Sequence, residues 1–204
     1  LIIDLTYAIM AEMPVYPGDE ETSLTHTQQF GRDGYNNHQL SINMHAGTHI
    51  DGPMHLLDLN EYISDLPIAT FVGEGILLDV SGVDHVEYKT EYEAIIQEGH
   101  IVVVYTGFGK HYGEEAYFTD YPVLSPAFVE LLIRKKIKML GLDTPSPDKF
   151  PYASHKRLFS NQIPIIENLA HVDHLVDVKA FEIIALPLRI QADSSPARVI
   201  AIVR

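Results

Sequence analysis

A chain of 204 residues, 46% hydrophobic and 21% charged, is long enough for one well-buried core and too short for two. Its 28 acidic and 14 basic residues give a formal net charge of −14. That argues against nucleic acid or an anionic membrane surface as partner, because both need a basic footprint. With no cysteine, structural disulfides, thiolate zinc sites and a cysteine nucleophile are excluded.

In chain order, "LIIDLTY" reads as a first strand and "MPVYPGDEE" (13–21) as the Pro/Gly turn region after it. The opening has no basic stretch, Pro14 and Pro17 arrive too early for a signal peptide, and no apolar run approaches ~18 residues, so the cytoplasm is the expected location. The absence of an initiator Met leads us to expect a few residues ahead of Leu1. "LTHTQQF" (24–30) and "HQLSINMHAGTHID" (38–51) are rich in β-formers and predict strands. In the second, Leu40, Ile42 and Met44 would back a polar face of Gln39, Asn43 and His45 that lines a pocket.

"GILLDV" (75–80) and "HIVVVYTGF" (100–108) are near-continuous apolar runs, which predicts buried strands. Between them "TEYEAIIQEG" (90–99) offers a capping box of Thr90 and Glu93 and a terminal Gly99, the marks of a short helix. "LSPAFVELLIRKKI" (124–137) predicts the strongest helix. Ser125 is its N-cap, Pro126 its first helical residue, and Arg134, Lys135 and Lys136 complement the dipole at its end. "KMLGLDT", "EIIALPLRI" and "RVIAIV" return to strand. The pattern is one α/β domain over residues 1–204, with a mixed β-sheet core and few helices.

The chemistry gathers in "HAGTHIDGPMH", residues 45–55. If this segment runs extended, His45, His49, Asp51 and His55 fall on one face. A zinc-protease helix would need Glu where Ala46 stands, and Gly47, Ile50, Gly52 and Pro53 disfavour helix. A lone histidine usually means little, but three with a carboxylate at period two point to a metal or proton-transfer site. The carboxylate oxygen suits Zn²⁺, Mn²⁺ or Fe²⁺ over Ca²⁺. A second pair, His155 and Glu167, lies across a helix-like stretch and the apolar "IPIIEN", and alone it is weak evidence. His171 and His174 read as solvated. Tyr16, in "VYPG", is a candidate aromatic wall for a pocket, with simple packing on the sheet as an equal alternative.

"HAGTHIDGPMH" resembles the His-x-Gly-Thr-His-x-Asp-x-Pro-x-His motif of the cyclase family of metal-dependent hydrolases, which includes bacterial kynurenine formamidase (arylformamidase) and isatin hydrolase. The resemblance runs over nearly the whole chain, because "IIDLTYAIMAEMPVYPGD", "YTGFGKHYGEEAYFTDYPVLS", "GLDTPSPD" and the closing stretch from Leu186 to Ile202 follow in family order. It implies a single domain of the swivelling β/β/α type. It implies His45, His49 and Asp51 as ligands of a first metal, with Asp51 able to bridge, and His155 and Glu167 completing a two-metal site. His55 matches the catalytic histidine. Leu56 stands where an aromatic residue is common, and the closing stretch departs at Ser195 from the usual Gly-Ser-Pro.

The cofactor so implied is a divalent metal, two Zn²⁺ per chain, with Mn²⁺ as the alternative ion and a single metal as in isatin hydrolase-like members. The implied partner is a small aromatic amide, and the implied assembly a homo-oligomer, dimer or tetramer. The implied reaction is hydrolysis of an aryl formamide C–N bond, as in N-formylkynurenine. Bound metal brings the pKa of water towards about 7, and His55 serves as acid–base. Three alternatives stand beside it. One is an isatin hydrolase-like enzyme acting on cyclic amides or esters. Another is an Fe(II) oxygenase with His49, Asp51 and His155 as facial triad and Arg198 binding 2-oxoglutarate. The third is a non-catalytic metal-binding protein.

Overall fold

The computed structural model describes residues 1–204 and is built on twelve strands. They are β1 (Ile2–Asp4), β2 (Ser23–Gln28), β3 (Asn37–Ser41), β4 (His49–Asp51), β5 (Val72–Asp79), β6 (His85–Val86), β7 (Ile101–Tyr105), β8 (Val123–Leu124), β9 (Met139–Leu142), β10 (Ile165–Glu167), β11 (Phe181–Pro187) and β12 (Ser194–Val203). The helices are short: α1 (Phe30–Asp33), α2 (Tyr92–Ile95), α3 (Glu115–Thr119), α4 (Pro126–Arg134) and α5 (Ala153–Phe159). None is long and apolar enough to cross a membrane.

Eight strands form one mixed sheet in the order β1-β12-β11-β5-β7-β9-β10-β4, and β4 also pairs with β12. That second pairing closes β12, β11, β5, β7, β9, β10 and β4 into a ring of seven, with β1 an added strand on β12. β5, β7, β9 and β10 run parallel, so each step needs a crossover, and α4 and α5 lie in the last two.

β7 and β9 are apolar and almost wholly buried on both faces, whereas β5, expected to be buried, is only half-buried, with Glu74 and Asp79 exposed. On β7, Ile101 and Val103 pack with Met139, Phe181 and Ile183, while Val102 and Val104 pack with Leu140, Phe128 and Leu158 beneath α4 and α5. Gly75 faces Phe181 across β5 and β11, and a Cβ there would lie 2.1 Å from the phenyl ring.

α4 forms as its caps predict, since the Ser125 hydroxyl accepts from the Phe128 amide at 3.3 Å and Phe128, Val129, Leu131 and Leu132 are buried. Two expectations need correction. The helix predicted over 90–99 shrinks to α2, because the Glu93 carboxylate pairs with Arg134 and Lys135 instead of closing a box with Thr90. The strand predicted over 38–51 breaks in two. β2 and β3 make a separate ribbon in which every β3 residue is exposed, and extended pairing resumes only at His49. Leu40 and Ile42 instead line a separate cleft with Ile9, Leu186 and Leu188, away from the histidines.

Candidate metal centre

Because the chain turns between Ser41 and His49, strand alternation alone does not bring the motif's side chains together. His45 lies in a turn, where its amide donates to Asn43 Oδ1 at 2.9 Å. Gly47 follows with φ +67°, a conformation that favours glycine, and a Cβ there would sit 2.6 Å from Met13 Cε. Thr48 pins the turn by donating to the Asn168 carbonyl at 2.6 Å. Only His49 and Asp51 share a face by alternation, with the buried Ile50 on the other. His55 is turned back by a 3-10 turn over Pro53–His55.

The distant pair arrives by sheet pairing. Glu167 is the direct antiparallel partner of His49, so the two side chains emerge on the same face. His155 comes from α5, and its Nε2 lies 3.1 Å from Glu167 Oε1 and 3.9 Å from Asp51 Oδ2. Around the other oxygen of Asp51 stand His45 Nδ1 at 2.9 Å and His49 Nε2 at 3.2 Å. Two donor sets thus share Asp51, one of His45, His49 and Asp51 and one of Asp51, His155 and Glu167.

Each imidazole has its far nitrogen bound to an acceptor. His49 Nδ1 donates to the Gly47 carbonyl at 2.8 Å, His155 Nδ1 to Asp148 Oδ1 at 2.6 Å, and His45 Nε2 to Asp193 Oδ2 at 3.0 Å. Those bonds fix the tautomers and aim the opposite nitrogens inward, the arrangement of metal-ligating histidines. His49 Nε2 and Asp51 Oδ1 are buried, and neither has a hydrogen-bond partner. A divalent ion would satisfy both, and the mixed imidazole and carboxylate donors fit Zn²⁺ or Mn²⁺.

The electrostatics agree. Burial alone would lower the pKa of each ligand histidine. The nearby Asp51 charge and the hydrogen bond to Asp193 instead raise His45 to about 10. Asp51 and Glu167 raise His49 to about 10, and Asp148 and Glu167 do the same for His155. Burial would raise Asp51, but His45 and His49 hold it well below the usual carboxylate range. The pocket binds positive charge tightly, as protons or as a metal that displaces them.

The pocket above these groups has aromatic walls from Tyr16, Phe118 and Tyr152, with Leu56 beside them, and no Lys or Arg lines it. Tyr16 meets Phe118 edge-on at 5.9 Å. His55 sits at the rim, 28% exposed, with its ring 4.2 Å from that of His45. Arg198 is elsewhere: it pairs with Asp4 at 2.6–2.9 Å on the surface, so it is not available to a 2-oxoglutarate in this pocket. His171 and His174 are exposed and outside the pocket.

A cyclase family model described as "Putative cyclase" matches residues 3–149. The chain belongs to the cyclase family. It is similar to the kynurenine formamidase of Bacillus cytotoxicus, 31% identical over 207 residues that cover 97% of this chain and 95% of that protein. Among solved structures, isatin hydrolase A from Labrenzia aggregata bound to benzyl benzoate superposes with a TM-score of 0.87 at 25% identity, over 100% of this chain and 93% of that one. A second, described as a potential metal-dependent hydrolase with cyclase activity, gives a TM-score of 0.82 at 27% identity, over 100% and 98%. Cyclase-family membership accounts for the mixed α/β fold and its few helices.

Sequence reasoning missed Asp148, Asp193 and Asn168. Asp148 closes the N-terminus of α5, where its Oδ2 accepts from the Ser154 amide at 2.6 Å, so a carboxylate ahead of a helix was the available signal. Asn168 donates to the Gly47 carbonyl and accepts from Tyr117, both at 2.8 Å. Its position directly after Glu167 was the only hint.

Proposed function

We propose that this cyclase-family chain is a metal-dependent hydrolase of non-peptide C–N amide bonds, and that its substrate is an aryl formamide of the N-formylkynurenine kind. The observation that carries the proposal is the sharing of Asp51 between two donor sets at the floor of an aromatic pocket. His45, His49 and Asp51 would hold one ion, and Asp51, His155 and Glu167 a second. When bound, such ions supply a Lewis acid for the carbonyl and lower the pKa of water.

The chain's own residues do the rest. Tyr16, Phe118 and Tyr152 offer flat surfaces to an aryl ring and exclude water around it. His55, at the rim beside His45, takes the proton of the attacking water and returns it to the leaving nitrogen. Cleavage of the C–N bond then gives formate and an aniline. An anilide anion is a poor leaving group, so the nitrogen takes up that proton as the C–N bond breaks and departs as the neutral aniline.

A second reading, hydrolysis of a cyclic amide, is favoured by the superposition on isatin hydrolase A. A cytoplasmic location and a homo-oligomer belong to the proposal. The β2–β3 ribbon and the connection through α1 expose Phe30, Tyr35 and Leu40, apolar surface that a second copy would cover. The test is metal analysis of the purified protein with kinetics on N-formylkynurenine, isatin and aryl esters. Preferred turnover of the formamide supports the first reading, and turnover of isatin alone replaces it with the second. A metal-loaded protein inert to all three would be a metal-binding protein without this activity.

A further inference from the structure

Asp193 is the one group that touches both the metal donors and the acid–base histidine. Its Oδ2 accepts from His45 Nε2 at 3.0 Å and from His55 Nδ1 at 3.1 Å. No Lys or Arg is among its ion-pair partners, which are these two imidazoles. The sheet puts it there. Ser194 pairs with Asp51 across β12 and β4, and the Asp193 carbonyl accepts from the Gly52 amide at 3.0 Å. A Cβ on Gly52 would approach that carbonyl to 2.9 Å, so glycine is what lets the two backbones meet.

Resting on the reading of His55 as the acid–base, we propose that Asp193 is a positioning residue that acts through His55, fixing its ring and tautomer while tethering His45 with the same oxygen. A carboxylate can only accept. The nitrogen of His55 that faces Asp193 therefore carries the hydrogen, which leaves the lone pair on Nε2. That is the form needed to take a proton from water. The negative charge also offsets the positive charge His55 gains when it does so. The logic is that of a buried aspartate behind a catalytic histidine, reached here from a strand that closes the sheet. Asp193 is about one-third exposed, so burial of its own side chain does not account for its placement.

The test uses metal-loaded protein with Asp193→Asn, His55→Asn and the double variant. Asparagine keeps the size but can turn an N–H towards His55 and favour the wrong tautomer. Asp193→Asn is expected to lower kcat roughly 10²–10⁴-fold with little change in KM. Placed on His55→Asn, it should lower kcat less than about threefold further, because groups that act as a unit are not additive. Losses that multiply in the double variant would overturn the proposal and leave Asp193 a support for His45 alone.

Nitrogen-15 NMR of the histidines provides a readout that needs no substrate and, in the wild type, no variant. The expected result is His55 as the Nδ1–H tautomer, altered by Asp193→Asn and untouched by Ser194→Ala. The latter removes the hydroxyl 3.0 Å from His45 Nε2 and does not reach His55. A wild-type His55 protonated on Nε2 alone would refute the assignment. If no amide is hydrolysed, the function proposed above fails, while the NMR result still decides what Asp193 does.

Discussion

Asp148 gives the sharpest way to address the two donor sets separately. One of its oxygens accepts from His155 Nδ1 at 2.6 Å, and the other accepts from the amides of Ser154 at 2.6 Å and His155 at 3.4 Å. Asp148→Asn keeps the shape but sets an N–H against one of these donors. Loss of an outer partner of a ligating histidine costs about 10–100-fold in metal affinity, which is about 1.4–2.7 kcal/mol. A lost helix cap adds about 1 kcal/mol to the destabilisation, or ~2–4 °C of melting temperature in a chain of this size. The first donor set is tied instead to Asp193, Ser194 and the Gly47 carbonyl, which Asp148 does not touch. Titration of metal-free protein with Zn²⁺ against a competing chelator should show two ions in the wild type. In the variant one should bind as before and the other about 10–100-fold more weakly. Equal weakening of both ions, or no weakening, would refute the division into two sets.

Four other outcomes follow from the structure. His55→Asn is expected to keep its metal and lose roughly 10²–10⁴-fold in turnover, the scale of a general acid–base. His49→Asn should empty the site and lower the melting temperature, because a bound metal stabilises the fold. Equal metal loss in both variants would make His55 a ligand. Gly75→Ala forces a methyl group to within 2.1 Å of the Phe181 ring, and urea unfolding should report about 1–3 kcal/mol of destabilisation. An unchanged midpoint would disprove that packing. In metal-free protein, His45, His49 and His155 are raised from 6.5 to about 10, so their pairing with carboxylates stabilises fully below 6.5 and is lost as pH rises through about 10. Melting temperature after chelation should therefore fall between neutral and alkaline pH, while metal affinity rises as protons cease to compete. A flat melting profile would contradict those shifts.

Legibility in the sequence followed the range of the interaction. β7 and α4 were readable because an apolar run buried on two faces, Ser125 and Pro126 are local signals. α2 was overread because its glutamate is drawn to Arg134 and Lys135, some forty residues away. The motif was found by its composition, yet the reason offered for its convergence, unbroken alternation from His45 to His55, is not how the chain does it. Gly47 turns the backbone before β4 and Pro53 begins a 3-10 turn after it, so two of the four side chains reach the site by bends. The pairing of Glu167 with His49 and of Ser194 with Asp51 is sheet register between distant segments, and neither local periodicity nor spacing encodes it.

The strand bearing His49 and Asp51 is three residues long and hydrogen-bonded on both edges, to β10 and to β12. Contacts in this strand and in the turn before it span 119 residues from His49 to Asn168 and 149 from His45 to Ser194. Closures of such length are slow, because chain entropy is lost before the contact is gained. Metal competence and activity should consequently emerge late in refolding, after the local helices and the parallel strands have formed. During synthesis, every member of the two donor sets that share Asp51 has been made once Glu167 is added, yet the ring stays open until Ser194–Val203 follows. A nascent chain therefore passes through a stage in which it carries all its metal-binding side chains without a formed site. Ions captured then would meet flexible histidines rather than a rigid cradle.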